Sequence, residues 1–100
     1  MCDPGDTIDK QVSHKDNKFT YEDPVTSRNP AFLEYAVREG VLDMLHTFVP
    51  PAMRGKGVAG VLVKQGLKYA AARNLRVRTT CWYTADYVKK YGALGCKIAK

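Results

Sequence analysis

Val41-Leu42-Asp43-Met44-Leu45-His46-Thr47-Phe48-Val49, then Pro50-Pro51-Ala52-Met53, then Arg54-Gly55-Lys56-Gly57-Val58-Ala59-Gly60: this run decides the fold, because it reads as strand, glycine-rich turn and helix. The two prolines bar further ladder pairing and end the strand. Gly55 and Gly57 allow a tight turn and leave bare N–H groups accessible. The helix that follows begins with donors that lack partners. Those donors, the positive end of the helix dipole, and the cations Arg54 and Lys56 converge on one spot, which describes an anion site suited to phosphate.

Outward from this run, the apolar residues Ala59, Leu62, Val63, Gly66, Leu67 and Ala70 recur at helical spacing and form one stripe, with Lys64 and Lys68 facing away. Gly66 within the stripe lets the helix approach a sheet at a propensity cost of about 1 kcal/mol. Asn74 ends this helix, and Leu75 to Trp82 alternates as a second strand with Arg76 and Arg78 exposed. Strand, helix and strand of this length imply a parallel pair. Upstream, Ala31 to Glu39 alternates as a half-buried strand, and Glu39-Gly40 turns it back against Val41 to Val49 as an antiparallel pair. Gln11 to His14 and Phe19 to Glu22 read as a hairpin around Lys15-Asp16-Asn17-Lys18. Thr84 is the expected N-cap of a short helix ending near Tyr91. His46 is expected on the face shared by Met44 and Phe48. The fold class is α+β: a mixed sheet of about five strands with one long and one short helix. Residues 1–10 are expected to be a disordered leader, and residues 11–100 one domain.

The charge is unevenly distributed. Residues 1–50 hold 5 Lys/Arg against 9 Asp/Glu and residues 51–100 hold 11 against 1, so the halves carry −4 and +10. The basic half contains the glycine turn, which suits a polyanionic ligand such as a nucleotide cofactor, nucleic acid or an acidic surface. Three cysteines with no CxxC pair support neither a disulfide framework nor a zinc site. No stretch approaches the ~20 apolar residues of a membrane-spanning helix, and no apolar leader precedes a cleavage site. The expected compartment is the cytoplasm or the nucleus, and the expected state a monomer.

Gly55, Gly57 and Gly60 satisfy GxGxxG, but a dinucleotide fold requires an acidic residue about 20 positions on, and residues 75–85 contain none. A Walker loop fails because no Gly-Lys-Ser/Thr is present. The pattern that fits is Arg/Gln-x-x-Gly-x-Gly/Ala, filled by Arg54, Gly57 and Ala59 directly after a strand. With His46-Thr47-Phe48-Val49-Pro50 before it and Thr80-Cys81-Trp82-Tyr83 and Tyr87-Val88-Lys89 after it, the chain over roughly residues 11–91 resembles the very small, single-domain members of the GNAT superfamily of acetyl-CoA-dependent N-acetyltransferases.

The resemblance implies a truncated GNAT fold, acetyl-CoA as co-substrate, and an amine as acceptor. It implies that pyrophosphate lies on the turn of Arg54, Gly55, Lys56, Gly57, Val58 and Ala59, and that the pantetheine arm enters where Phe48-Val49 and Thr80-Cys81-Trp82 part. Cys81 then acts as nucleophile or as general acid toward the leaving thiolate; read from residue type alone it is equally an inert core cysteine. Tyr91, in Tyr91-Gly92-Ala93-Leu94-Gly95-Cys96, is a competing general acid, although Cys96 replaces the aromatic of the larger enzymes. His46 is either a structural histidine or a proton relay. Residues near the end of the central strand supply no evident carboxylate base, Asp43 being too early. Truncation leaves an open acceptor site, suited to a protein or peptide amine such as a histone lysine. Two alternatives are an acyl-CoA-binding module with little catalysis and a basic nucleic-acid-binding domain, for which the chain carries no recognition signature.

Overall fold

The computed structural model describes residues 12–22, 30–51, 57–93 and 95–99. Five strands form one sheet in sequence order: β1 (Ser13–Lys15), β2 (Lys18–Tyr21), β3 (Ala31–Arg38), β4 (Val41–Phe48) and β5 (Arg76–Thr79). The first four are antiparallel neighbours, and β5 runs parallel to β4. Two helices complete the fold, α1 (Val58–Ala72) and α2 (Trp82–Tyr91). The expected mixed sheet with a long and a short helix is the observed one.

Local chemistry accounts for the turns. Asp16 and Asn17, and Glu39 and Gly40, all hold positive φ, the conformation a two-residue hairpin needs to match the strand twist. α1 lays Val61, Leu62, Gly66, Leu67 and Ala70 on the sheet, where they meet Phe19, Leu33, Tyr35, Leu42, Met44 and Val77. Each fully buried aliphatic side chain there contributes roughly 1.5–3 kcal/mol. Val58 joins this core while Ala59 is only half buried, so the stripe starts one residue earlier than the spacing suggests. Gly66 carries the close approach: a Cβ added there would lie 2.9 Å from Met44 Cε and 3.1 Å from Leu33 Cδ2.

α2 packs on the same face, with Thr84 fully buried and Tyr83, Tyr87 and Val88 against the core. The opposite face of the sheet has no covering element among the described residues. Beyond β5, the Val77 N–H donates to Lys97 O and the Ala99 N–H to Val77 O, each at 2.8 Å, so residues near Ile98 form a parallel stub on that edge.

Two expectations need correction. β5 stops at Thr79 and Trp82 opens α2, whose N-cap is Cys81 rather than Thr84. The Thr84 hydroxyl instead donates to Cys81 O at 2.8 Å from within the first turn, so its side chain closes the turn from inside the helix. The second correction concerns β4. Glu34 pairs with His46 but Tyr35 with Met44, leaving Leu45 as an extra residue. That bulge reverses the alternation. Met44 is fully buried under α1, whereas His46 and Phe48 lie on the bare face beside Phe32. His46 therefore does not share a face with Met44.

Candidate functional site

β4 and β5 stay paired from Val41/Arg76 to Met44/Thr79, and a last backbone bond joins Cys81 N–H to Met44 O at 3.0 Å. Beyond it the chain turns into α2, so no described strand flanks Leu45–Phe48 on the β5 side. A strand edge without a neighbour offers alternate N–H and C=O groups to an extended ligand.

Two side-chain bridges clasp the strands where they part, one on each face. On the bare face Thr80 Oγ1 donates to Asp43 Oδ1 at 2.5 Å. On the helix face Cys81 Sγ lies 3.7 Å from Thr47 Oγ1. Thr47 reaches the helix face only because the bulge at Leu45 shifts its side of the sheet. Asp43 and Thr47 were not singled out from sequence as site residues. Strand alternation alone cannot reveal a bulge, and the Asp43–Thr80 contact depends on the parallel register.

Cys81 is half buried with a free thiol at the N-terminus of α2. Burial acts to raise its pKa. The backbone N–H of Thr84, the Thr47 hydroxyl, and the N–H groups of Tyr83 and Thr47 outweigh it, so the thiol is held below its ordinary value. Hydrogen bonds to the charged form, reinforced by a helix N-terminus, make a thiol a better nucleophile near neutral pH. Cys96, by contrast, has its Sγ 3.3 Å from Leu67 O, and burial pushes its thiol up.

Cys81, Thr47 and Trp82 come together at the parting strands. Trp82 is 78% exposed and packs edge-on to Tyr83. Phe48 and His46 lie at the same end of β4 but on the bare face, and Val49 is half buried against the core. Tyr91 is not brought to Cys81. It is the last residue of α2, 71% exposed beside Tyr87, and a ten-residue helix puts it ~15 Å from the N-cap. Gly57 holds φ 77° and ψ 15° at the N-cap of α1. The Val58 side chain is buried, so Val58 faces a ligand only through its backbone. Arg54, Gly55 and Lys56 lie outside the described residues.

A glycine at the N-terminus of the long helix, together with a parallel pair that parts at a polar clasp, is the framework of an acyl-CoA-dependent N-acyltransferase. The family model for the GCN5-related N-acetyltransferases matches residues 18–94, and the chain belongs to that family. Protein NATD1 of Gallus gallus is 31% identical over 90 residues, covering 90% of this chain and 82% of that protein. Protein NATD1 of Xenopus tropicalis is 31% identical over 88 residues, covering 88% and 81%. That of Mus musculus is 41% identical over 54 residues, covering 54% and 49%. The solution structure of a GCN5-like candidate N-acetyltransferase from Staphylococcus aureus superposes with a TM-score of 0.69 at 22% identity, covering 88% of this chain and 86% of that one. It carries the likeness in fold. The chain is thus an N-acetyltransferase of a family that uses acetyl-CoA and an amine acceptor.

Proposed function

We propose that this chain moves acetyl from acetyl-CoA to a primary amine on a polypeptide, such as a protein lysine, through Cys81. The observation that carries the proposal is the Cys81 thiol at the N-terminus of α2, bridged to Thr47 where β4 and β5 part. In this reading the backbone N–H groups of Val58 and Ala59, with Gly57 and the cations Arg54 and Lys56, receive pyrophosphate. The edge of Leu45–Phe48 and the exposed ring of Trp82 flank the pantetheine.

Cys81 as thiolate attacks the thioester carbonyl. Its sulfur bonds to the acetyl carbon, and the bond from that carbon to the coenzyme A sulfur breaks, releasing a thiolate that takes a proton from solvent. The acceptor amine then attacks the acetyl-cysteine, the amide forms, and Cys81 leaves as thiolate. The amine attacks in its neutral form, and the proton it sheds as the amide forms passes to solvent at the open strand edge. Asp43, across the sheet from the thiol and bonded to Thr80, holds the strands together and does not serve as the base. The lowered pKa of Cys81 supports the nucleophile over the general acid, since an acid must hold its proton until the thiolate departs. Distance removes Tyr91 from this step, and His46 serves the acceptor side as a relay.

The sheet face that no element covers among the described residues favours a polypeptide amine over an enclosed metabolite. A free nucleophilic thiol fits a reducing compartment, cytoplasm or nucleus, and the chain acts as a monomer. Calorimetric titration of acetyl-CoA into wild type and Arg54→Ala, followed by intact mass measurement, tests the proposal. Saturable binding weakened in the variant, with one acetyl group mapped to Cys81, is the expected result. Binding without acetylation, together with full turnover by Cys81→Ser, would refute the covalent route; binding with no transfer to any amine would make this an acyl-CoA-binding module.

A further inference from the structure

Both helices pack on one side of the sheet, and the bare side is divided by its chemistry. Toward the carboxyl end of β4 it carries rings: Phe32 lies 5.7 Å from His46 and 5.9 Å from Phe48, centre to centre. Toward the amino ends of β4 and β5 it carries Arg38, Arg76 and Arg78. These line a cleft of ≈630 Å³ floored by the small side chains of Ala36, Val41 and Ala99. Leu45, 39% exposed, lines the same cleft and joins the two halves.

Arg38, Val41 and Arg76 sit side by side on three neighbouring strands. At roughly 4.8 Å between strands the two arginine stems stand ~10 Å apart. With only Val41 between them, one carboxylate can be reached by both guanidinium groups through charge-assisted hydrogen bonds, the stronger kind. From the level of His46 to the level of Val41 is five residues of β4, or ~16 Å.

We infer that this divided face is the docking surface for the acceptor polypeptide. The segment it takes carries an apolar residue near the reacting lysine and acidic residues about five positions away in an extended chain. This rests on the acetyltransferase reading above and specifies its substrate class. Charge and scale select the occupant. Asp43 and Glu39 also line the cleft; they oppose a continuous phosphate backbone but accept hydrogen bonds from peptide N–H groups and attract a lysine. A basic tail meets three guanidinium groups there and is disfavoured.

Anisotropy titrations of a labelled peptide (one lysine, a leucine beside it, two glutamates about five residues on) test the inference directly, since binding needs no turnover. The same lysine-leucine peptide with arginines in place of the glutamates, and a single-stranded oligonucleotide, are titrated alongside. The acidic peptide is expected to bind wild type, and the exposed double variant Arg38→Glu/Arg76→Glu to weaken it about tenfold. The variant should bind the basic peptide better than wild type does, while keeping its acetyl-CoA affinity and melting temperature. Equal affinity of wild type for both peptides would overturn the inference, as would an acidic-peptide affinity insensitive to the charge reversal. Tighter, steeply salt-dependent oligonucleotide binding would overturn it in favour of nucleic acid. Concentration-dependent self-association in sedimentation that the double variant abolishes would overturn it in favour of a second copy. Loss of acetyl-CoA binding in wild type would instead sink the acetyltransferase reading, separately from the peptide result.

Discussion

Gly57→Ala isolates the backbone at the start of α1. Gly57 holds φ 77° and ψ 15°, and no described atom lies within 4 Å of where a Cβ would stand, so the substitution meets strain without a clash. An L-residue in the left-handed region costs about 1–2 kcal/mol. The unfolded chain's loss of freedom offsets about 0.4–1 kcal/mol of that. The net is a destabilisation of about 1 kcal/mol, which lowers the melting temperature of a domain this size by about 4–8 °C. Gly57→Asn should lose less, because asparagine tolerates this region. Gly60 in the same motif provides the opposite sign: it lies within α1, and an added Cβ would meet Tyr87 Cε2 at 3.4 Å, an ordinary contact. Gly60→Ala should therefore gain up to about 1 kcal/mol of helix propensity. Thermal denaturation by circular dichroism of the three variants without ligand is the assay. If Gly57→Ala melts at or above wild type, position 57 does not need a positive φ, and the account of how α1 leaves the turn is wrong.

Three further outcomes follow from the core and the titrating groups. Gly66→Val, driven toward Met44 Cε and Leu33 Cδ2, should cost about 2 kcal/mol in urea unfolding, since overpacking outweighs any propensity gain. In a Cys2→Ser background, iodoacetamide should modify Cys81 faster than Cys96, because one thiol is held down and the other pushed up; Thr47→Val should slow Cys81 and leave Cys96 unchanged, as followed by peptide mass mapping. The His14 ring stacks on Phe19, meets Tyr69 edge-on and is hydrogen-bonded to Tyr35, and burial, with Arg73 nearby, holds its pKa below 6.5. The unfolded chain then binds the proton more readily, so this contribution is present above pH 6.5 and is lost as pH falls through the lowered value. Urea midpoints at about pH 7.5 and pH 5 should drop more in wild type than in His14→Gln, and equal drops would refute the linkage.

Periodicity and turn chemistry carried most of the architecture. The period of two in residues 31–49, the positive-φ turn residues, and the helical stripe after Gly57 have local causes, so the two antiparallel pairs and the parallel pair could be read without coordinates, whereas the pairing of β2 with β3 that completes the strand order came only from the structure. The expected strand ends were off by one to three residues, because Thr80 and Cys81 continue the alternation of β5 although the chain has already turned into α2. The bulge at Leu45 was not legible. Nothing in Met44-Leu45-His46 differs locally from regular alternation, and the extra residue is defined only by the register against β3.

The same division applies to the site. Residue types and spacing alone marked the glycine turn and the basic second half, because a donor-rich helix start and a charge asymmetry are properties of the chain itself. Cys81 was singled out only by the family resemblance, residue type leaving it equally an inert core cysteine. Which groups surround Cys81 was a tertiary decision. Thr47 comes under it through a bulge, Asp43 reaches Thr80 through a parallel register, and the Tyr83 and Thr84 N–H groups face the thiol because α2 starts at Trp82. Long-range pairing sets each of these, and the energy that selects it is summed over the whole buried face of the sheet, which no local stretch of sequence contains.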